Sequence, residues 1–494
     1  MVKASTVVWA IVALAASSPA LAQESAQPSE LGRVREEMKE LQRAYEARMQ
    51  ALEKRLTEAE ARTGKAEKSA AQVELRSDKA EISASQAEAR ASKAEQIATQ
   101  AQATAGAANN RTGENAFNPA ISLILQGTYA RTSRDPNNFA ITGFVPSGGE
   151  VGPPKRSFGL GESELVISAS IDPYFRGVMI AALTPENEVE VEEAFFQTLA
   201  LPRGFTLKAG RFLSGVGYQN ELHQHFWDFQ GAPLPYKAFL GGRLRQDGVQ
   251  LRWIAPTSLF TELGAELGSG DSFPGNDRNK NGANAATLFA HIGDDIGESY
   301  AWRAGVSYLR TSARDRAYDD VDALGTGVTN RFSGRSRAWI VDGVLKWSPN
   351  GNATQTNVKL QGEYFRVHQD GNLTFDQAGA ALTDYLRTAQ SGWYGQAVWQ
   401  FMPRWRVGYR YDALRRSKVD IGAVTNGLGP TAADFPVLAP HNPTRNTAML
   451  EFNPSEFSRL RLQLAADKSR IGVTDNQIFL QYIHSLGPHG AHRF

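Results

Sequence analysis

"RWRVGYRYD", residues 404–412, sets Trp405, Val407, Tyr409 and Tyr411 against Arg404, Arg406, Arg410 and Asp412. In an extended chain successive side chains point to opposite faces, so one face of this segment suits lipid and the other suits water. The same grammar returns from Ala120 onward in "ISLILQGTY", "SELVISASI", "FTLKAGRF", "VQLRWIA", "AWRAGVSYL", "NVKLQGEYF" and "RLRLQLAAD". Period two with aromatic and β-branched enrichment predicts strands.

The connections also alternate. Short turns fall at Asp172-Pro173, Pro202-Arg203, Pro256-Thr257, Asp294-Asp295, Pro349-Asn350, Pro403-Arg404 and Pro454-Ser455, and between them lie mostly long, polar segments rich in Gly, Asn and Asp. Seven short turns interleaved with eight longer loops require sixteen strands, with both chain ends on the short-turn side. The expected fold is an all-β transmembrane barrel of about sixteen antiparallel strands over 120–494. Tyr174, Phe175, Phe205, Trp253, Phe260, Trp302, Trp347, Phe401, Trp405, Phe452 and Phe457 all lie near a short turn, where a headgroup-level girdle belongs. A water-soluble β-sandwich would scatter them. The chain ends in Phe494, an aromatic terminus like those of bacterial outer-membrane barrels.

The first 119 residues read differently. Lys3, the apolar run Val7 to Ala16 and "ALA" ending at Ala22 make residues 1–22 a signal peptide. That run is shorter than the roughly 18 apolar residues of a membrane helix. Residues 31–108 contain no proline, and from Met49 to Ala101 small or apolar residues recur at alternating steps of three and four, predicting an α-helical coiled coil. Its early seam holds Met49, Leu52 and Leu56 and its later seam is mostly alanine, so the later layers bury little. A solvated single helix is the other reading. A continuous helix over 31–108 would reach roughly 115 Å into the periplasm. Residues 109–119 form a linker.

Composition removes several functions. The 494 residues include no cysteine and carry a formal charge of +1, which excludes disulfides, thiol catalysis and Cys-ligated zinc and argues against a nucleic-acid partner. There is no GxSxG or HExxH motif and no phosphate-cradling glycine loop, so no enzyme is expected. No cofactor is implied.

Strand parity supplies candidate pore residues. Arg404, Arg406 and Arg410, with Arg459 and Arg461 of "RLRLQL", are expected to form a basic wall, while Glu188, Glu190 and Glu192 share one face of "EVEVEEAFF". Opposed walls would set a transverse field across the channel. The alternative is that these charges only keep the lumen wet. The loop between the fifth and sixth strands, "SGVGYQNELHQHFWDFQGAPLPYKAFLGGRLR", is the candidate constriction, with Lys237, Arg243 and Arg245 facing Glu221 and Asp228. An external cap is the competing reading. His223 and His225 are half a zinc site with no third ligand fixed by spacing, and no metal is assigned. "DRNKNG", 277–282, imitates a calcium loop but has Leu288 where a bidentate glutamate is needed.

The signal peptide, helical prefix, sixteen-strand grammar, "LKAGRF" before a long third loop and terminal phenylalanine resemble the phosphate-selective porin O and P superfamily over about Ala120 to Phe494. The resemblance implies a passive outer-membrane diffusion channel for small hydrophilic solutes, anions among them. The implied partners are outer-membrane lipid, two further copies in a homotrimer, and peptidoglycan or a periplasmic protein along the coil. A structural tether, with the barrel only an anchor, is the alternative. The ending "LQYIHSLGPHGAHRF" is also similar to chains described as zinc-linked, TonB-dependent receptors, but no plug-sized domain precedes the barrel, and its length falls short of about twenty-two strands.

Overall fold

The computed structural model describes residues 119–148 and 151–487; the signal segment, the heptads and Phe494 fall outside them. The barrel belongs to the compact unit Phe117–Phe494. Its strands are β1 (Ala120–Thr132), β2 in two pieces (Ser157–Leu160 and Ser163–Ser170), β3 (Phe175–Leu183), β4 (Val189–Thr198), β5 (Phe205–Leu213), β6 (Arg245–Ile254), β7 (Phe260–Gly268) and β8 (Ala285–Ile296). The second half comprises β9 (Tyr300–Val321), β10 (Gly327–Trp347), β11 (Asn357–Phe375), β12 (Leu382–Met402), β13 (Trp405–Ile421), β14 (Thr444–Ser455), β15 (Ser458–Asp467) and β16 (Asp475–Leu486). Each pairs antiparallel with the next, and β16 returns to β1 from Leu123↔Leu486 to Thr132↔Gln477, so no edge is left open. Both pieces of β2 pair with β1, which makes them one strand interrupted at Gly161–Glu162.

The expected seven turns and eight loops recur, with two turns displaced by two or three residues: the β8–β9 turn is 297–299 and the β14–β15 turn is 456–457. Outside, Val341, Leu360, Leu450, Leu460, Leu462, Leu464, Ile478 and Leu480 form an exposed aliphatic band. On its turn side it is bounded by aromatics that pair across strands, Phe205 on Trp253, Phe175 on Phe196 and Trp405 on Phe452, with centroids 6.2, 6.1 and 4.7 Å apart. A second belt, Tyr308–Trp339 and Trp393–Tyr411, lies higher. An apolar band between two aromatic belts fits a bilayer and its two interfaces. Strands β9 to β12 continue past that belt, and there Arg310, Arg335, Arg337 and Arg387 face outward in place of leucines.

The inner face is not uniformly polar. Leu309, Ala338, Ile340, Phe365, Val367, Tyr394 and Leu414 project inward and bury Phe144 of loop 1 (133–156) with Val216, Trp227, Leu234, Tyr236, Phe239, Leu240 and Leu244 of the third loop. A hydrophobic core therefore sits inside the barrel. Loop 7 (422–443) adds Phe435 and Leu438 to a second cluster nearer the long-loop end.

Candidate functional site: the third loop in the lumen

Loop 3 (214–244) leaves β5 and returns to β6, its immediate neighbour, yet it crosses the lumen between those two points. Its apolar half carries the short helix α1 (Leu234–Leu240), which Pro235 starts and which ends at Gly241, a left-handed residue with φ 64°. All seven helix residues are buried. Tyr236 donates its hydroxyl hydrogen to Glu363 at 2.8 Å, and Glu363 also accepts from Tyr394 at 2.7 Å and from the Gln219 N–H at 2.9 Å.

Charged walls take up the polar half of the loop. Asp228 accepts from Lys359 at 2.9 Å, Arg406 at 2.6 Å and Gln396 at 3.0 Å. Burial raises its carboxyl pKa, and the Lys359 and Arg406 charges overcome that and hold it well below the usual carboxylate range. Arg459 donates to the carbonyls of His225 and Trp227 at 2.9 and 3.1 Å, and Arg461 to that of Trp227 at 2.7 Å. Asp412 accepts the Leu234 N–H at 3.0 Å and lies between Arg410 and Arg445. Across the lumen, Glu266 receives the Ser214 hydroxyl at 2.5 Å and the Gly215 N–H at 2.8 Å. The loop is therefore anchored to opposite walls.

Several sequence expectations are corrected by this placement. Arg404 is in the short turn with φ 71° and exposed, off the inner wall, because the turn uses it as its left-handed residue. Arg406, Arg410, Arg459 and Arg461 do point inward, but the last three are 1% exposed and are neutralised by Asp412 and Glu451. A basic wall thus becomes a buried ion-pair network beneath loop 3. Glu188 is an exposed residue of the β3–β4 loop, and Glu190 is exposed beside Arg245. A register shift on β3–β4 at Ile180/Ala181 turns both Glu192 and Glu193 inward. The loop's charges do not face one another: Glu221 pairs with Arg252 and Arg303, Asp228 with Lys359 and Arg406, and Arg243 with Glu162 and Glu192. Each acid has a wall cation nearer than its neighbours in the loop. The 277–282 segment is a polar loop in which Asp277 accepts the Asn279 N–H at 2.8 Å.

His223 and His225 stack with ring centroids 5.9 Å apart and are both buried. Their partners come from distant segments. His223 Nδ1 is 2.9 Å from Glu192 and Nε2 is 2.9 Å from Glu193, while His225 Nδ1 is 2.9 Å from Glu164. Spacing in the sequence could not supply these carboxylates, since β2 and β4 reach the histidines only once the loop is folded.

A layer of charged side chains lies on the turn side of the loop. Lys208, Arg252, Arg303, Lys346 and Lys359 are half-buried there, with Glu221, Glu262, Glu266, Asp228 and Asp342 as counter-charges. Tyr218 lies between Arg303 and Lys359, whose cationic groups are 5.3 and 5.1 Å from its ring.

No protein-family model matches the chain. An uncharacterized protein of Aquifex aeolicus (strain VF5) is 31% identical over 408 residues, covering 77% of this chain and 81% of that one. The chain belongs to that protein's family. Solved structures similar to this member of it include the outer membrane channel DcaP of Acinetobacter baumannii, 12% identical, with 75% of this chain and 97% of DcaP aligned at a TM-score of 0.45. The trimer form of OmpT, an outer membrane protein of Vibrio cholerae, is 10% identical over 75% and 99% of the two chains, TM-score 0.45. An anion-selective porin from Comamonas acidovorans is 9% identical over 75% and 99%, TM-score 0.42.

Two measurements test the anchoring. Arg243 is buried against Glu162 and Glu192, whereas Arg245 and Glu190 meet at the solvated rim. Arg243→Ala is expected to lower unfolding stability by about 3 kcal/mol through two stranded carboxylates. Arg245→Ala is expected to change it by about 0–1 kcal/mol. Urea titrations followed by tryptophan fluorescence rank them, and equal midpoints would refute the distinction. The second test uses Lys237, which is buried over Phe139 near Arg445, Asp467, Arg410 and Asp412. Burial, and next the Arg445 charge, push its ammonium down to about 7. A free lysine keeps its proton to about pH 10, so the unfolded state binds more protons between about pH 7 and 10 and docking strengthens as pH rises through that window. Below it the docked loop carries a buried ammonium. Lys237→Met should therefore be more stable than the parent at about pH 6, with the difference shrinking by about pH 9. A constant difference would refute the reading.

Proposed function

We propose that this chain is an outer-membrane porin, a passive and narrow diffusion channel for small hydrophilic solutes with a preference for anions. The observation that carries the reading is a closed sixteen-strand barrel, apolar outside between two aromatic belts, whose third loop is folded into the lumen. A sixteen-strand barrel is wide enough for an aqueous channel, so a loop inside it controls passage. The anion preference is supported by the resemblance to the phosphate-selective porin O and P superfamily, and Lys208, Arg252, Arg303, Lys346 and Lys359 supply the cationic groups such a solute would meet. Sixteen strands argue against the energised-receptor alternative.

Purified protein in planar bilayers tests this. Stepwise currents are expected, small because loop 3 fills much of the lumen, with a reversal potential in a salt gradient of the sign set by anions. No stepwise current would favour the tether reading, and a cation-selective reversal potential would remove the anion preference.

The heptads of residues 31–108 support a homotrimer and contact with peptidoglycan or a periplasmic partner. Deleting 31–108 is expected to leave single-channel conductance unchanged while weakening trimer recovery or cell-wall association. Intact trimers with unchanged wall association would reduce the segment to a spacer.

A further inference from the structure

The cluster between loop 3 and the β2–β4 wall has the features of a metal centre. Glu164 of β2, Glu192 of β4 and His223 of loop 3 each offer one ligand atom, and these atoms lie within 4.8 Å of one another. Donors that share one ion at about 2.0–2.2 Å lie up to roughly 4 Å apart, so only a small contraction separates this arrangement from coordination. All three side chains are buried, Glu164 and Glu192 at 1% exposure and His223 at 7%. The strands are irregular where they deliver the two glutamates: β2 breaks at Gly161–Glu162, and the β3–β4 register shifts opposite Glu192. Such irregularities re-aim side chains next to functional sites.

The outer contacts match what a ligand set requires. A metal-bound histidine ordinarily donates its other ring N–H to a carboxylate. His223 Nε2 faces Glu193 at 2.9 Å, while Nδ1 faces the proposed ion position between Glu192 at 2.9 Å and Glu164 Oε2 at 3.3 Å. The other oxygen of Glu164 is oriented by His225 at 2.9 Å, and Arg243 bridges Glu192 and Glu162. A hydrogen on Nδ1 can serve only one of the two carboxylates well, and Glu164 Oε2, buried, accepts no hydrogen bond among the described residues. One cation between the three atoms satisfies all of them. Charge points the same way, since Glu162, Glu164, Glu192 and Glu193 surround Arg243 and His223.

We propose that Glu164, Glu192 and His223 bind one divalent transition-metal ion that ties loop 3 to β2 and β4. One imidazole with two carboxylates suits an ion of the Zn²⁺ or Co²⁺ class, which takes nitrogen and oxygen donors in four-coordinate sites with water in the remaining position. Ca²⁺ and Mg²⁺ need six or more oxygens. This site rests on side-chain placement alone and stands whether or not the barrel conducts.

The test uses full-length protein folded in detergent, stripped with a chelator and titrated with Co²⁺ alone and with Zn²⁺ alone. Co²⁺ is expected to give visible d–d absorption, and Zn²⁺ to displace it. Glu164→Gln and His223→Gln should each weaken binding at least tenfold, and Glu193→Gln, which keeps the three ligands, about 10- to 100-fold. Should His223→Gln fail to fold, the near-isosteric Glu164→Gln and Glu193→Gln decide the matter. Absence of binding overturns the proposal. So does binding unaffected by these substitutions, which would place the ion elsewhere, for example at His489 and His492. Displacement of Co²⁺ by Ca²⁺ as readily as by Zn²⁺ overturns the assignment to a transition metal.

Discussion

Excising residues 216–242 and joining Gly215 to Arg243 through a two-residue Asn-Gly turn is expected to raise single-channel conductance several-fold. The geometry permits the splice. Leu213 is opposite Arg245, and the Ser214 N–H donates to the Leu244 carbonyl at 3.0 Å, so the trimmed ends already form the top of an antiparallel hairpin. The strand ladder that closes the barrel does not pass through the loop. What is lost is the inner core of Trp227, Leu234, Tyr236 and Phe239 against Ile340, Phe365 and Leu414, together with the cover over Arg459 and Arg461. Those arginines then face water in an open lumen of the width usual for sixteen strands. A heat-modifiable, folded barrel with unchanged conductance would show that the loop does not set the passage.

The architecture was legible because a membrane barrel repeats one rule at every strand. Alternation, turn chemistry and the position of tryptophan and phenylalanine each reported the same sixteen strands, and the ladder reproduces them. The inner surface was much less legible. Parity assigned Arg406, Arg410, Arg459 and Arg461 to the lumen correctly in direction, but it could not show that a loop 31 residues long, 214–244, would cover them. A signal was present in β9 to β13, where Leu309, Ile340, Phe365 and Leu414 are apolar at inward positions; strands apolar on both faces require something to pack inside. The histidine cluster was illegible for a different reason. Glu164 is 59 residues before His223, and Glu192 reaches it only through a register shift that simple alternation excludes. Glu451, by contrast, could have been found as an inward residue, since Leu450 and Phe452 flank it on the lipid side, although only a register shift between Phe452 and Ser455 sets it opposite Arg461.

Glu451 is also where the largest loss of stability from one substitution is expected. It is fully buried and receives Arg406 at 2.8 Å, Arg461 at 2.8 and 3.0 Å and Arg459 at 3.4 Å. Its position explains the density of contacts, because the ladder sets it directly between Arg406 of β13 and Arg461 of β15. Glu451→Ala leaves three buried guanidinium groups around an empty volume, with Asp228 still serving Arg406 and the carbonyls of His225 and Trp227 still serving Arg459 and Arg461. Removing one member of a buried charge network costs about 3–5 kcal/mol, far above the pair's net value, because the remaining charges lose their shared counter-ion and gain no water. The arginines should recover hydration by displacing the Trp227 segment, so the variant is expected to combine a lower urea midpoint with larger, noisier currents. Replacing the pair together, as Glu451→Leu with Arg461→Leu, removes one charge of each sign and should recover much of the loss. If the single and double variants unfold at the same urea concentration, the network contributes packing rather than charge balance, and anchoring of loop 3 by the β13–β15 arginines fails with it.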